Sequence, residues 1–465
     1  MAVKLTNTSQ GNVKQLAPAY SDIVIEAEGI PANILGLYNV KYIMYLIINN
    51  FGVMIKLKAP LDSNNKALFR ISSILQDYTQ SDKRGYDIDN IYSRHQGNQM
   101  LYNNHSVHTI DEFCRNRSNL NSCLALGAYE YSTTPSGNII EAEGSLNTDV
   151  SFLFFNSVAQ HKDGYSSQDF SDYLLNANTK KFLSVFSSEQ NIQMGQYHTV
   201  GFLNGEHHEV SQVSKIQIRA YDINDDLVDT LLVDNTDLNG GAVYPQDLYA
   251  IDGAVSPPTP RTNKGLLYFG CGTKNLTNTG FNFQNATYYI VTAVHAGSAV
   301  SQGYRFNIVG ADCKGYETIR LAFLNSLGAW DYYNFTKKST RSTQINKSVM
   351  KQNYGEIPAY STTNIGDILD ASYYNQGTYD GGTRVFNVNA TETIEANTDF
   401  VNEEEAAILE ELFLSPDVYM QTGDIFEPVV IDETEYVKQT SANDMLKQYI
   451  ITIEKGHNKR VQRLW

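Results

Sequence analysis

The sequence predicts a mainly β, multi-domain fold built from β-sandwich, Ig-like modules with long loops and a few short helices. At 465 residues the chain is too long for one ordinary core. It is apolar enough to fold, since 42% of its residues are hydrophobic and only 18% are charged. Its 31 tyrosines, together with many Asn, Ser and Thr residues, favour strands and turns over surface helices.

Residues 1–90 are predicted to form an N-terminal β-sandwich-like module. The apolar run at residues 42–55 contains an Asn pair and a glycine, which predicts a hairpin whose second strand ends at Pro60. This run of 14 residues is too short to cross a bilayer. The first residues lack the apolar segment of a signal peptide. We therefore expect a soluble protein.

Residues 91–255 are predicted to form a second β-rich module. Apolar and polar residues alternate strictly from Lys215 to Ala220, as in a half-buried antiparallel strand that enters a hairpin. The polar sequence Asp222–Asp226 resembles the start of a calcium loop but lacks its glycine and its closing glutamate, so we interpret it as the hairpin turn. A helix is predicted at Gln168–Leu175, with Ser167 as its cap. Three prolines at residues 255–265 indicate a linker or a strand crossing.

The third predicted module covers residues 266–335 and continues into residues 385–465. The segment between them, residues 336–384, is polar and rich in tyrosine. A segment of this length without apolar periodicity usually has a function of its own. We interpret residues 336–384 as an extended arm or loop that orders against a neighbouring subunit.

The clearest predicted helix lies near the C-terminal end. Asn402 is placed to cap the sequence EEEAAILEELF, and the three glutamates that follow it suit the positive end of a helix dipole. The pair Ser415-Pro416 then ends the helix.

Residues that bear chemistry do not form a recognised site. His105 and His108 precede Asp111 and Glu112, and residues 206–209 read EHHE, but neither group has the spacing of a metal motif. We interpret both groups as solvated loop residues. Phosphate-binding and nucleophile-elbow motifs are missing, and spacing selects no carboxylate pair among the 51 acidic residues. The sequence therefore predicts no enzyme, no cofactor and no metal site.

The net charge indicates which partners the protein can bind, and the cysteines indicate the redox compartment in which it resides. A net charge of −16 opposes direct binding to nucleic acid and to anionic membranes. The four cysteines, Cys114, Cys123, Cys271 and Cys313, do not have metal-ligand spacing. Reduced thiols are the simpler interpretation, because no export signal points to an oxidising compartment. A bond between Cys114 and Cys123 is the open alternative.

The most aromatic segment is FLNSLGAWDYYNF at residues 323–335. Alternation predicts a strand at residues 319–324, a turn that ends at a positive-φ Gly328, and a return strand with Trp330 and Tyr332 on one face. The predicted structural hairpin motif consists of Leu324, Asn325, Gly328, Trp330, Asp331, Tyr333 and Phe335. Buried cross-strand packing is the favoured role of its aromatic residues, and an exposed platform for sugar stacking is the alternative.

The segment RLAFLNSLGAWDYYNF resembles the pattern R-x-x-x-L-N-x-x-G-x-W-D-Y-x-x-F of tail- or baseplate-associated structural virion proteins of tailed bacteriophages, including marine and gut phages. Further segments, such as YHTVGFLNG and LEELFLSPDVY, extend the resemblance over nearly the whole chain. The chain departs from the pattern at Ala329, where a second glycine is often found, and in its tyrosine-rich residues 340–384. The resemblance supplies no catalytic residue.

The resemblance implies a structural component of a phage particle, first of all a tail, baseplate or tail-hub protein that acts through subunit assembly. Its partners would be other virion proteins and copies of itself in a symmetric ring or tube. It would be made in the cytoplasm of the host bacterium and reside in the virion tail, without nucleic acid binding or membrane insertion. The alternative is a peripheral receptor- or polysaccharide-binding tail protein whose partner is a host surface glycan. Less favoured are a head-tail connector or capsid-associated protein and a tail-associated glycan hydrolase.

Overall fold

A computed structural model provides the fold. It describes residues 4–7, 16–29, 37–48, 53–79, 108, 113–115, 120–142, 150–158, 170–204, 213–234, 265–277, 279–310, 315–352, 381–401, 403–432 and 448–463. Strands dominate these residues and form five sheets, which we number I to V. The expected fold class, mainly β with several β-sandwich modules, is confirmed.

Sheets I and II form an N-terminal sandwich. Sheet I has the order β1-β3-β6 and consists of β1 (Lys4–Asn7), β3 (Val24–Glu28) and β6 (Ala67–Arg70), which α1 (Ser72–Gln76) follows. Sheet II consists of β2 (Leu16–Pro18), β4 (Tyr38–Ile48), β5 (Val53–Pro60), β8 (Leu120–Ser132), β9 (Ile140–Ala142) and β10 (Val150–Phe155). Its order is β2-β10-β8-β4-β5, with β9 beside β8.

The two sheets share one core, which corrects the predicted boundary at residue 90. Ile25 and Phe69 of sheet I pack with Tyr42 and Phe154 of sheet II. Strand β4 pairs with β5, as the hairpin prediction requires, but its other edge pairs with β8. The first predicted module is thus completed by strands of the second, because its sheet would otherwise expose the edge of β4.

Sheets III and IV come from the middle of the chain. Sheet III consists of β11 (Glu189–Ile192), β13 (Lys215–Tyr221), β14 (Leu227–Asp234), β16 (Tyr288–His295), β17 (Ser298–Ala299) and β18 (Tyr304–Ile308). Its order is β11-β18-β16-β13-β14, with β17 beside β16. Sheet IV has the order β12-β15-β7 and consists of β7 (Phe113–Arg115), β12 (Thr199–Asn204) and β15 (Gly265–Gly270).

These pairings cross the predicted boundary between the second and third modules. Strand β13 pairs with β16, and β12 pairs with β15, so each sheet combines strands from both sides of the predicted linker. The linker at residues 255–265 lies outside the described residues except for Gly265. The polar turn at Asp222 is confirmed, since the Asp222 carboxylate accepts hydrogen bonds from the backbone N–H groups of Asn224 at 2.8 Å and Asp226 at 2.9 Å.

Sheet V holds the C-terminal third of the chain. Its strands are β19 (Ile319–Leu324), β20 (Trp330–Phe335), β21 (Thr340–Gln352), β22 (Gly382–Asn397), β23 (Val418–Thr422), β24 (Ile425–Ile431), β25 (Ile450–Lys455) and β26 (Arg460–Arg463). The order is β20-β19-β23-β24-β25-β22-β21, with β26 beside β22. Residues 319–335 therefore share a sheet with residues 382–463, whereas the strands between residues 265 and 308 lie in sheets III and IV.

The helix predictions had two outcomes. The predicted C-terminal helix is present as α2 (Glu403–Leu414), whereas its predicted cap, Asn402, lies outside the described residues. The helix predicted at Gln168–Leu175 is wrong over the described residues, which form a 3-10 turn at Phe170–Tyr173. The reason is tertiary pairing, because Leu174 forms a parallel bridge to Leu203 of sheet IV and thereby leaves helical geometry.

The segment predicted as an arm or loop contains regular structure. Residues 340–352 form all of β21, which pairs along its whole length with β22 in an antiparallel ribbon. Nearly every side chain of β21 is exposed, so burial periodicity gives no strand signal there. Residues 353–380 lie outside the described part of the chain.

The last three sheets and α2 are stacked in layers. On sheet IV, Val200 and Phe269 face the core shared with sheet III, whereas Leu203 and Tyr268 face the core shared with sheet V. The far face of sheet V packs against α2 through Leu409. Sheets IV and V are therefore both covered on two sides where they overlap.

Candidate functional site: the buried hairpin

The aromatic segment forms the predicted hairpin. Strands β19 and β20 pair antiparallel in unbroken register, from Ile319 opposite Phe335 to Leu324 opposite Trp330. All seven residues of the structural motif lie in this hairpin or its turn, and six of them are buried. Tyr333 alone among them is partly exposed.

Both faces of the hairpin are buried. Leu324, Trp330 and Tyr332 pack in the core between sheets IV and V, where Trp330 is only 1% exposed. Phe335 and Tyr333 pack on the α2 side. The hairpin is thus a folding element, and its buried aromatic rings cannot serve as a platform for a sugar.

Asn325 organises the turn. Its side-chain oxygen accepts hydrogen bonds from the backbone N–H groups of Leu327 at 3.1 Å and Ala329 at 3.0 Å. Its side-chain amide donates to Asp331 at 2.6 Å and to the carbonyl of Leu183 at 3.0 Å. One side chain therefore closes the turn, joins it to the return strand and attaches it to a segment 142 residues earlier in the sequence.

Asp331 is the buried acceptor at the centre of this arrangement. Besides Asn325, its carboxylate accepts hydrogen bonds from the Ser184 hydroxyl at 2.5 Å and the Val185 backbone N–H at 3.0 Å. Burial raises the pKa of Asp331 to about 6, and the hydrogen bonds from Ser184, Asn325 and Val185 oppose part of that rise. The carboxylate is positioned by its donors and is only 1% exposed.

This pKa predicts a pH dependence of stability. The folded pKa of about 6 exceeds the ordinary 3.8, so the folded chain keeps a proton on Asp331 that the unfolded chain has lost. The resulting stabilisation, up to about 3 kcal/mol, is complete below pH 3.8 and is lost as the pH rises through about 6. We expect Asp331→Asn to remove this contribution, as measured by urea unfolding of both proteins from about pH 4 to about pH 7.

His198 also contributes to the pH dependence of stability, in the opposite sense to Asp331. Burial and the nearby Arg320 hold the pKa of His198 well below 6.5, so the folded state loses stability as the pH falls below that value. This effect is common to the wild type and to Asp331→Asn and cancels in their difference. An identical pH profile for the two proteins would contradict the role given to Asp331.

Arg320 is a buried cation on the same hairpin. Its guanidinium donates to the Tyr197 carbonyl at 2.8 and 3.1 Å, to the Asn334 side chain at 2.9 Å and to His198 Nδ1 at 3.1 Å. It also lies 4.8 Å from the ring centroid of Tyr332. Burial lowers the pKa of Arg320 to about 10, so it stays charged at neutral pH. Arg320 thereby fastens β19 and β20 to the start of sheet IV.

His108 corrects the interpretation of the histidine-rich loop. It is fully buried instead of solvated, with its ring stacked on Phe426 at 4.6 Å and edge-on to Trp330 at 4.7 Å between centroids. Its Nδ1 and the Tyr332 hydroxyl are hydrogen-bonded. His105, Asp111, Glu112 and residues 206–209 lie outside the described residues. Where the structure describes the chain, no group of three or more His, Cys, Asp or Glu side chains is placed to hold a metal ion.

The cysteines that the structure describes with their side chains are buried thiols. Cys123 and Cys271 are both free, so the alternative of a bond between Cys114 and Cys123 is wrong. Cys114 and Cys123 are not bonded because they lie in different sheets, Cys114 in sheet IV and Cys123 in sheet II. Burial raises the pKa of Cys123 to about 12, which leaves its thiol protonated and unreactive at neutral pH.

Sequence reasoning missed the roles of Arg320, His198 and Ser184. A signal was present for Arg320, since it shares a strand face with Ala322 and Leu324, and a lone charge on an otherwise apolar face indicates a buried, paired group. Tyr197 and His198, which bind Arg320, and Ser184, which binds Asp331, lie more than 120 residues away in the sequence, where no local pattern marks them.

The fold and the hairpin define a class: a mainly β, multi-domain protein whose most distinctive motif is a folding unit. No helix among the described residues has the length and apolar character needed to traverse a lipid bilayer. No protein-family model and no curated protein gives a match to the chain.

Two solved structures show distant likenesses to the chain. The chain is similar to invasin, a bacterial integrin-binding protein, with 11% identity and a TM-score of 0.19 over 84% of this chain and 57% of that one. It is also similar to alpha-2-macroglobulin of E. coli, with 5% identity and a TM-score of 0.14 over 100% of this chain and 34% of that one. The chain thus spans less than two thirds of either protein. Scores this low carry no argument about fold or function.

Proposed function

We propose that the chain is a structural component of a tailed-bacteriophage particle, in the tail, baseplate or tail hub, and that it acts by subunit assembly. Two features support this. One is the resemblance of the hairpin motif to phage virion proteins. The other, which carries the proposal, is the exposed ribbon formed by β21 and β22.

The ribbon has the character of an interface. Strand β21 runs for 13 residues at the end of sheet V, and within the described residues its outer edge has no paired strand. Ile345 is 56% exposed and Val349 is 65% exposed on this edge strand. A long edge with exposed apolar side chains is a liability for a monomer, because its unpaired backbone groups accept strands of other chains. Burial between subunits removes that liability.

The buried hairpin supports the same role indirectly. Its charged side chains, Arg320 and Asp331, are held by carbonyl, amide and hydroxyl groups of the protein itself. Such groups position strands β19 and β20, which end sheet V on the side opposite to the ribbon. In the proposed role the partners are copies of the chain and other virion proteins in a ring or tube, and the protein resides in the virion.

Sedimentation velocity of the purified full chain, over a wide concentration range, tests this function. We expect species larger than the 52.1 kDa monomer, and ring or tube particles in electron micrographs of the same sample. A monomer at all concentrations that binds a bacterial surface glycan would contradict assembly and favour the receptor-binding alternative. Turnover of that glycan would favour the hydrolase.

A further inference from the structure

The outer part of the ribbon differs in charge from the rest of the chain. We define the outer ribbon as residues 345–352 of β21 and 382–390 of β22, together with residues 460–463, which form β26 and pair with β22. It contains five of the 35 basic residues and none of the 51 acidic residues, so the remainder holds 30 basic against 51 acidic residues. A basic surface on a strongly acidic protein is attracted to an acidic surface of another copy.

One face of β21 combines this charge with apolar groups. Ile345, Lys347, Val349 and Lys351 occupy alternate positions of the strand and therefore share a face, and all four are exposed. Val385 lies opposite Val349 on the neighbouring strand and extends the apolar part of this face. The face thus offers two lysines and a row of aliphatic side chains beside an unpaired strand edge.

The complementary surface on the same chain is β14. Among the strands that end a sheet within the described residues, β14 is the one with two acidic residues and no basic residue. The turn before it adds Asp222, Asp225 and Asp226. Leu227 and Leu232 of β14 are exposed, so this edge also combines acidic with aliphatic groups.

We infer that β21 of one copy adds to the edge of β14 in the next copy. The two strands would continue sheet III by main-chain hydrogen bonds, with Lys347 and Lys351 facing the acidic turn and the aliphatic side chains packed together. The contact joins two different surfaces, and such heterologous contacts generate rings or tubes. The inference rests on the proposed function and names the contact through which assembly occurs.

Charge-reversal variants of the full chain test the contact by sedimentation velocity. Lys347→Glu with Lys351→Glu alters the ribbon, and Asp226→Lys with Thr230→Lys alters the β14 edge. Asp222 and Asp225 are left unchanged, because Asp222 holds the turn and Asp225 has a φ of 64°. The matched control is Lys41→Glu with Lys181→Glu, two exposed lysines elsewhere on the chain.

We expect each interface variant to raise the dissociation constant of self-association at least about tenfold. The control should associate like the wild type. Combining all four interface substitutions in one chain should restore association, since the charges are then exchanged. Circular dichroism spectra like that of the wild type would show that the interface variants are folded.

Several results would overturn the inference. The ribbon is not the contact if its variant associates like the wild type, and β14 is not the acceptor if only the ribbon variant loses association. Binding of a labelled DNA duplex that the ribbon variant abolishes, with self-association unchanged, would make the ribbon a nucleic-acid surface. In each of these cases the wild type still assembles and the proposed function stands, whereas a monomeric wild type removes both.

Discussion

Trp330→Ala is expected to lower the free energy of unfolding by about 3–5 kcal/mol. The indole is 1% exposed and lies edge-on to His108 and Tyr419 in the core between sheets IV and V. Truncation leaves a large cavity at the point where the two sheets meet, and rigid sheets on both sides limit its collapse. Urea unfolding followed by circular dichroism measures the loss, and low yields of folded protein accompany it.

Phe400→Ala is the matched control for Trp330→Ala. Phe400 is also a large aromatic residue, but it is 63% exposed, so its removal is expected to change the free energy of unfolding by less than about 0.5 kcal/mol. If Trp330→Ala folded as stably as the wild type and lost only the ability to bind a glycan, the hairpin would be a binding platform after all. Equal losses for the two variants would also refute the assignment of Trp330 to the core.

Gly328→Ala is expected to destabilise the fold by about 2 kcal/mol or more, through two separate effects. Gly328 has a φ of 81°, which costs an L-residue about 1–2 kcal/mol. A Cβ atom there would also lie 2.5 Å from the carbonyl oxygen of Asn156, a backbone atom that cannot rotate away. The turn or the end of β10 must therefore shift, and overpacking of this kind costs about 1–3 kcal/mol.

Gly297→Ala separates these two effects. Gly297 has a similar φ of 84°, but nothing lies within 4 Å of the position that a Cβ atom would take. This variant should show the conformational cost alone, about 1–2 kcal/mol, in the same urea titration. Equal losses at the two positions would mean that the close approach to Asn156 contributes nothing to stability.

The hairpin was predictable because its information is local. Alternation marks both strands, and Gly328 together with Asn325 marks the turn between them. What alternation cannot show is that both faces are covered. The covering groups, such as Tyr197 and Leu409, come from distant parts of the chain. The sequence therefore predicts the element, and the tertiary fold determines its burial.

The module boundaries and His108 were not predictable for the same reason. Strands β4 and β8 pair although more than 70 residues separate them in the sequence. Nothing in the sequence pattern of either strand shows which distant strand it pairs with. His108 stands in a polar sequence, so its neighbours suggest solvent, whereas its actual contacts are Phe426 and Trp330. The composition of a segment is known from the sequence, but the burial of its side chains depends on tertiary contacts with distant residues.

The layered arrangement of sheets III, IV and V has a consequence for the order of folding. Sheet IV has three strands among the described residues, and both of its faces are covered by cores that draw on residues from Leu153 to Phe426. One face is buried by residues 175–306, whereas the other face is buried only when sheet V is in place. Such long-range closure is slow, because loop entropy is lost before contacts compensate for it. During synthesis the burial of sheet IV is therefore complete only after the C-terminal third has been made.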